Sequence, residues 1–170
     1  MVGALSDVVV FGSLCAGVGT AAVIDIRHRR IPNVVCATTA IAGITFAATG
    51  VSQITVASSA IGLVIGLVMM LPGHLLGATG AGDVKLFGAT GAMLGAGRIF
   101  PAFFFMAIAG GVLAVFIAWQ RGRLRQTMRQ TAQLAGGSAD AKAAIESPRT
   151  NNRFPYGPAI AVGSVLAALM

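Results

Sequence analysis

Apolar runs about the length of a bilayer crossing follow one another along most of this chain, broken only by short polar segments. A hydrocarbon core of roughly 30 Å takes about 20 residues of helix, or about 17 at the short end. No water is available there to satisfy backbone N–H and C=O groups, so a spanning chain is helical or closes into a barrel. The runs are continuous and lack the period-two alternation of barrel strands, which selects helices. Composition agrees: 56% of residues are hydrophobic and 10% charged, far from the balance of about a quarter charged in soluble domains. The expected fold class is all-α, a polytopic integral membrane protein of about six transmembrane helices, with residues 1–170 forming one membrane-embedded domain.

The spans are placed near residues 8–24, 34–51, 54–71, 84–97, 100–119 and 154–170, leaving 120–153 as one extended basic loop. The fourth run is short and opens at Asp83 and Lys85, so charge decides whether it crosses. Lys and Arg accumulate in cytoplasmic loops. With six crossings and the N-terminus outside, Arg27, Arg29, Arg30, Lys85 and the seven basic residues of the 120–153 loop all fall inside, and only Arg98 lies outside. Without the fourth crossing, that loop would move to the face opposite Arg27–Arg30. The expected location is therefore the inner (cytoplasmic) membrane, multi-pass, with both termini outside. Met1 to Ile24 carries no Lys or Arg ahead of its apolar run, so the first run is expected to be a retained span rather than a cleaved signal.

Smaller features fit the same frame. Gly62 with Gly66, and Gly91 with Gly95, match the small-xxx-small spacing of close helix contacts. Trp119 and Tyr156 fall near span ends, where amphipathic rings belong. Cys15 and Cys36 lie within apolar runs, without Cys-x-x-Cys spacing, and read as small buried hydrophobes rather than disulfide or metal ligands. The 120–153 loop reads as an ordinary positive-inside loop, with anionic lipid headgroups as the alternative partner. No nucleic-acid partner is expected.

The polar interruptions hold the chemistry. The acidic residues are Asp7, Asp25, Asp83, Asp140 and Glu146, and an ionisable group set against a membrane span is a functional candidate by default. Asp83 stands in Gly80-Ala-Gly82-Asp83-Val-Lys85, where the glycines permit a sharp bend and close approach to a substrate backbone. A helix is expected to start just after it, at Val84, with end N–H groups that favour a carboxylate. Asp25 ends the first span, and Ile31-Pro32-Asn33 marks the start of the second, since proline suits a helix start and Asn33 a turn. Two crossings separate the aspartates, which returns both to the cytoplasmic side. Two carboxylates around one water share a proton and titrate as a unit. The ionised member then takes a proton from water while the protonated member polarises a carbonyl, which is peptide hydrolysis with no metal, cofactor or covalent intermediate. The plainer alternative makes Asp25 a boundary charge balancing Arg27–Arg30 and Asp83 a helix cap. Lys85 is kept out of the pair; it holds substrate, biases the site or reaches to the membrane surface.

These motifs resemble the type IV prepilin peptidases, polytopic aspartic proteases that share Gly-x-Gly-Asp with presenilin-like intramembrane proteases and archaeal preflagellin peptidases. The residues that carry the resemblance are Asp25 with Ile31-Pro32-Asn33, then Gly80-Ala-Gly82-Asp83-Val-Lys85-Leu86, then Phe154-Pro155-Tyr156-Gly157-Pro158-Ala159. The resemblance implies removal of a short basic leader from prepilins or prepilin-like proteins at the cytoplasmic membrane face, with Asp25 and Asp83 catalytic. It implies supporting roles for Gly80, Gly82, Lys85, Ile31, Pro32, Asn33, Pro155 and Gly157. Longer family members carry an N-terminal tetracysteine zinc domain and N-methylate the product. This sequence looks like the short Tad/Flp-type form, for which a peptidase without methyltransferase activity is expected, in a homodimer or with pilus-assembly partners. Two other classes compete: a proton-coupled carrier, disfavoured by the sparse polarity of the last two spans, and a non-catalytic subunit of a secretion platform, disfavoured by intact motifs.

Overall fold

The computed structural model describes residues 2–120 and 156–170, which form five helices and no strand. They are α1 (Val2–His28), α2 (Asn33–Ala48), α3 (Val56–Leu75), α4 (Ala81–Gln120) and α5 (Gly157–Ala168). Three apolar helical stretches are long enough to cross a membrane, Leu5–His28, Val56–Leu75 and Ala81–Ile117, whereas α2 and α5 are shorter. The described residues form helices alone, and their long apolar stretches mark a membrane protein.

Local chemistry sets the helix ends. Pro32 caps α2 in an extended conformation, and its carbonyl accepts the Val35 and Cys36 N–H groups at 3.1 and 3.4 Å. Left-handed Gly50 follows the end of α2, the usual place for a residue without a Cβ. The Thr55 hydroxyl accepts the Ser58 N–H at 3.1 Å and opens α3. Helix α3 runs through Pro72, beyond the expected end near residue 71, because Leu76 N–H closes a turn on the Pro72 carbonyl at 3.0 Å before left-handed Gly77 stops it.

The 40 residues of α4 would span roughly 60 Å if straight, about twice a bilayer core. The helix is broken at Gly95 (φ 77°, ψ 174°) and folds back on itself. The Phe87 and Phe103 rings meet edge to face with centroids 5.9 Å apart, whereas 16 residues of straight helix would part them by about 24 Å. Hydropathy and Arg98 place this interruption between residues 97 and 100; the structure moves it to Gly95. In an unbroken helix the Ala92 carbonyl would accept the Ala96 N–H. Here two α3 hydroxyls take up both groups: Ser59 Oγ donates to Ala92 O at 2.7 Å, and Ala96 N–H donates to Ser58 Oγ at 3.1 Å.

The first arm of α4, residues 81–94, is the centre of the bundle, and residues 86–95 are buried without interruption. Close approach depends on glycine: a Cβ on Gly62 would run into the Gly91 carbonyl, and one on Gly66 would lie 2.7 Å from the Phe87 carbonyl. The two small-residue pairs therefore pack α3 on α4, as their spacing predicts. The second arm, residues 96–120, runs antiparallel to α5. Arg98 Nη1 donates to Ala168 O at 3.4 Å at one end, while Gly110 faces Tyr156 and Ala159 at the other. The long outward side chains, among them Val64, Val68, Phe104, Val112 and Val115, are apolar and exposed, the surface a lipid-covered bundle presents.

Candidate active site

The C-terminal ends of α1 and α3 and the N-terminal ends of α2, α4 and α5 meet at one end of the bundle, opposite Arg98. A cleft of about 680 Å³ opens there between the 28–33 and 77–83 segments, and both Asp25 and Asp83 line it. They are the buried charged residues among the described ones, at 6% and 7% exposure; Asp7 is exposed, and Asp140 and Glu146 lie outside the described residues.

Each carboxylate is held by a glycine N–H. Gly157, at the start of α5, donates to Asp25 Oδ2 at 2.9 Å. Gly80 donates to Asp83 Oδ2 at 2.8 Å. Helix α4 begins at Ala81 rather than Val84, so Asp83 sits inside the first turn and reaches back to the preceding N–H, the carboxylate half of a capping box. The capping reading of Asp83 is thus realised geometrically, in a side chain that also faces the cleft. An unpaired buried carboxylate would be costly, and these N–H groups offset part of that cost.

Glycines recur here because other residues would not fit. A Cβ on Gly157 would lie 2.9 Å from Asp25 Cβ, one on Gly80 3.1 Å from Asp83 Oδ2, and one on Gly82 3.0 Å from Ile31 Cβ. The contact of Ile31 with Gly82 seats the α1–α2 connection on the first turn of α4, drawing the two aspartate-bearing segments together. Lys85 Nζ donates to Asn33 Oδ1 at 2.9 Å, and Cys36 Sγ points to Gly82 O at 3.8 Å. Lys85 therefore braces α4 against the start of α2. Pro32, with Asn33 and Lys85, lines the cleft. Pro155 lies outside the described residues, as do residues 121–153 of the basic loop.

The structure adds residues that the sequence reading left out of the site. Arg29 lines the cleft in a left-handed conformation (φ 52°) and donates its N–H to Asp25 O at 2.7 Å. His74 Nδ1 lies 3.1 Å from Thr79 O and steadies the segment leading into Gly80. Tyr156 is half-buried against the core rather than set outward, and its phenol lies in the field of Asp83. Cys15 and Cys36 are free thiols. Among the described residues no three His, Cys, Asp or Glu side chains gather as metal ligands.

Two buried carboxylates on one water-accessible cleft can divide the roles of general base and general acid. A model of the type IV leader peptidase family matches residues 12–115, a segment that carries both aspartates and more than half of the chain. Comparison with curated proteins and with solved structures gave no match.

Proposed function

We propose that this chain, which belongs to the type IV leader peptidase family, is an aspartic endopeptidase that removes the short basic leader of a prepilin or prepilin-like protein at the cytoplasmic membrane face. The observation that carries this reading is the pair of buried carboxylates, Asp25 and Asp83, on one cleft at one end of an otherwise apolar bundle. One carboxylate is ionised and takes a proton from water; the other is protonated and hydrogen-bonds the scissile carbonyl oxygen. Hydroxide adds to the carbonyl carbon, the C–N bond breaks, and the proton passes to the leaving amine. The proton shared by the pair is restored at the end of the cycle.

Six membrane passages account for the layout: α1, α2, α3, the two arms of α4, and α5. Arg27, Arg29, Arg30 and Lys85 stand at the cleft end and Arg98 at the other, which supports a cytoplasmic cleft in an inner-membrane protein with both termini outside. A substrate helix then lies in the bilayer beside the bundle while its leader enters the cleft.

Asp25→Asn and Asp83→Asn, purified in detergent and presented with a prepilin, are expected each to abolish leader removal while keeping the elution profile and melting temperature of the parent. Full activity in either variant refutes the paired mechanism.

A further inference from the structure

We infer that Arg29 is a positioning residue of the site, kept in a left-handed backbone conformation because its side-chain charge is needed beside Asp25. The inference rests on the catalytic reading of Asp25 given above. Among the described residues four have a left-handed φ: Gly50, Gly77, Gly95 and Arg29. The chain uses 23 glycines and places one at each of the other three positions, so an arginine at the fourth is an exception that local folding does not explain. Arg29 directly follows α1, where its N–H closes the helix on the Asp25 carbonyl at 2.7 Å. This is the turn that glycine ordinarily fills, since a Cβ there crowds the backbone. Strain of this kind persists where the residue performs a task that the unstrained substitute cannot.

The task follows from the surroundings. Arg29 lines the cleft with Asp25, and its charge acts on the Asp25 carboxyl. The other titratable or charged side chains on the cleft are His28, Arg30, Lys85 and Asp83; Lys85 is engaged with Asn33, and of the cleft's basic residues it is Arg29 that shares a hydrogen-bonded turn with Asp25. The turn fixes where the Arg29 side chain leaves the backbone, at the same end of α1 as Asp25 and on the same cleft. Arg29 acts through Asp25, setting the charge and aim of one member of the catalytic pair.

The test separates backbone from charge. Wild type, Arg29→Gly, Arg29→Lys and Arg29→Gln are purified in detergent, melted, and assayed for kcat and KM on a prepilin with a basic leader. Arg29→Gly relieves the turn and is expected to melt at or above the wild-type temperature. Its kcat is expected to fall about tenfold with KM held within about twofold, as for loss of a transition-state contribution. Arg29→Lys restores kcat to within about threefold of wild type, and Arg29→Gln does not. Wild-type kcat in Arg29→Gly overturns the inference, and so does a lowered melting temperature in which kcat and KM worsen together without rescue by lysine. Asp25→Asn runs alongside: if it cleaves normally the catalytic reading itself has failed, whereas an inactive Asp25→Asn beside an active Arg29→Gly sinks this inference alone.

Discussion

Gly157→Ala separates holding a carboxylate in place from merely possessing it. The added Cβ would lie 2.9 Å from Asp25 Cβ, 3.0 Å from its Oδ2 and 3.2 Å from Ala22 Cα. Ordinary carbon contacts lie at about 3.5–4.0 Å, so something must move by roughly 0.5–1 Å. Helix α5 cannot easily yield, because Gly163 is already pressed on the second arm of α4, where a Cβ would come within 2.6 Å of Ala102 O and Met106 N. Ala22 Cα and Asp25 Cβ both move only with the backbone of α1, which leaves the C-terminal turns of α1 to shift and the Asp25 carboxylate to be carried away from Gly157. A shift of that size takes the 2.9 Å hydrogen bond from Gly157 toward or past the distance at which such bonds count. The charge-assisted bond is worth about 1.5–3 kcal/mol, and a misplacement of about 1 Å costs on the order of 100-fold in rate. Crowding itself destabilises by about 1–3 kcal/mol, so the variant is expected to insert and fold with a lowered melting temperature. Gly111→Ala is the matched control, since nothing lies near its Cβ. Steady-state cleavage of a prepilin in detergent, with melting of both variants, reads the outcome. A Gly157→Ala enzyme within about threefold of wild-type kcat would show that the α5 contact is not needed to aim Asp25.

Gly82→Ala brings a Cβ to 3.0 Å from Ile31 Cβ and 3.3 Å from its carbonyl; it is expected to lower kcat by roughly tenfold through a smaller shift of the Asp83 turn, read in the same assay. Ser59→Ala strips the donor from the Ala92 carbonyl, held at 2.7 Å, and is expected to cost about 1–3 kcal/mol of stability with kcat per folded molecule unchanged, measured by thermal melting and active-fraction assay. In a Cys15→Ala, Cys36→Ala background, Arg30→Cys is expected to react with a membrane-impermeant maleimide only from the cytoplasmic side, and Arg98→Cys only from the outside; labelling of both from one side refutes the six-passage layout.

The helical class and the rough placement of each apolar run are legible in the sequence because both follow from hydropathy and length. So are the close-contact faces at Gly62 with Gly66 and at Gly91 with Gly95, because small-residue spacing is local, whereas that the two faces meet each other is seen only in the structure. The turn at Gly95 is not local. The apolar run continues unbroken past it, and what makes the reversal tolerable is Ser58 and Ser59 on another helix, whose hydroxyls meet the parted backbone groups. A reader of the sequence alone therefore puts the interruption at the nearest charge, Arg98.

In the site, Asp25 and Asp83 stand out because carboxylates are scarce and each stands at the edge of an apolar run, Asp83 directly after Gly80-Ala-Gly82. The reasons for the surrounding residues are spatial. Gly82 is small for Ile31, Gly157 is small for Asp25, and Lys85 answers Asn33; each pair is separated by some fifty residues or more. Tyr156 shows the limit of pattern reading: an aromatic ring near a span end suggests the lipid interface, whereas here it packs inward near Asp83. Arg29 hides for a different reason. A cluster of arginines after a membrane span reads as a topology signal, and a left-handed backbone has no sequence signature in a non-glycine residue.

The central claim is that Asp25 and Asp83 together cut a peptide bond, and the most direct test is the intact mass of a prepilin co-expressed in membranes with the wild-type chain or with Asp83→Asn. The account predicts loss of the leader mass with wild type and a full-length prepilin with Asp83→Asn, both enzymes being equally inserted. Equal cleavage by both chains would contradict it.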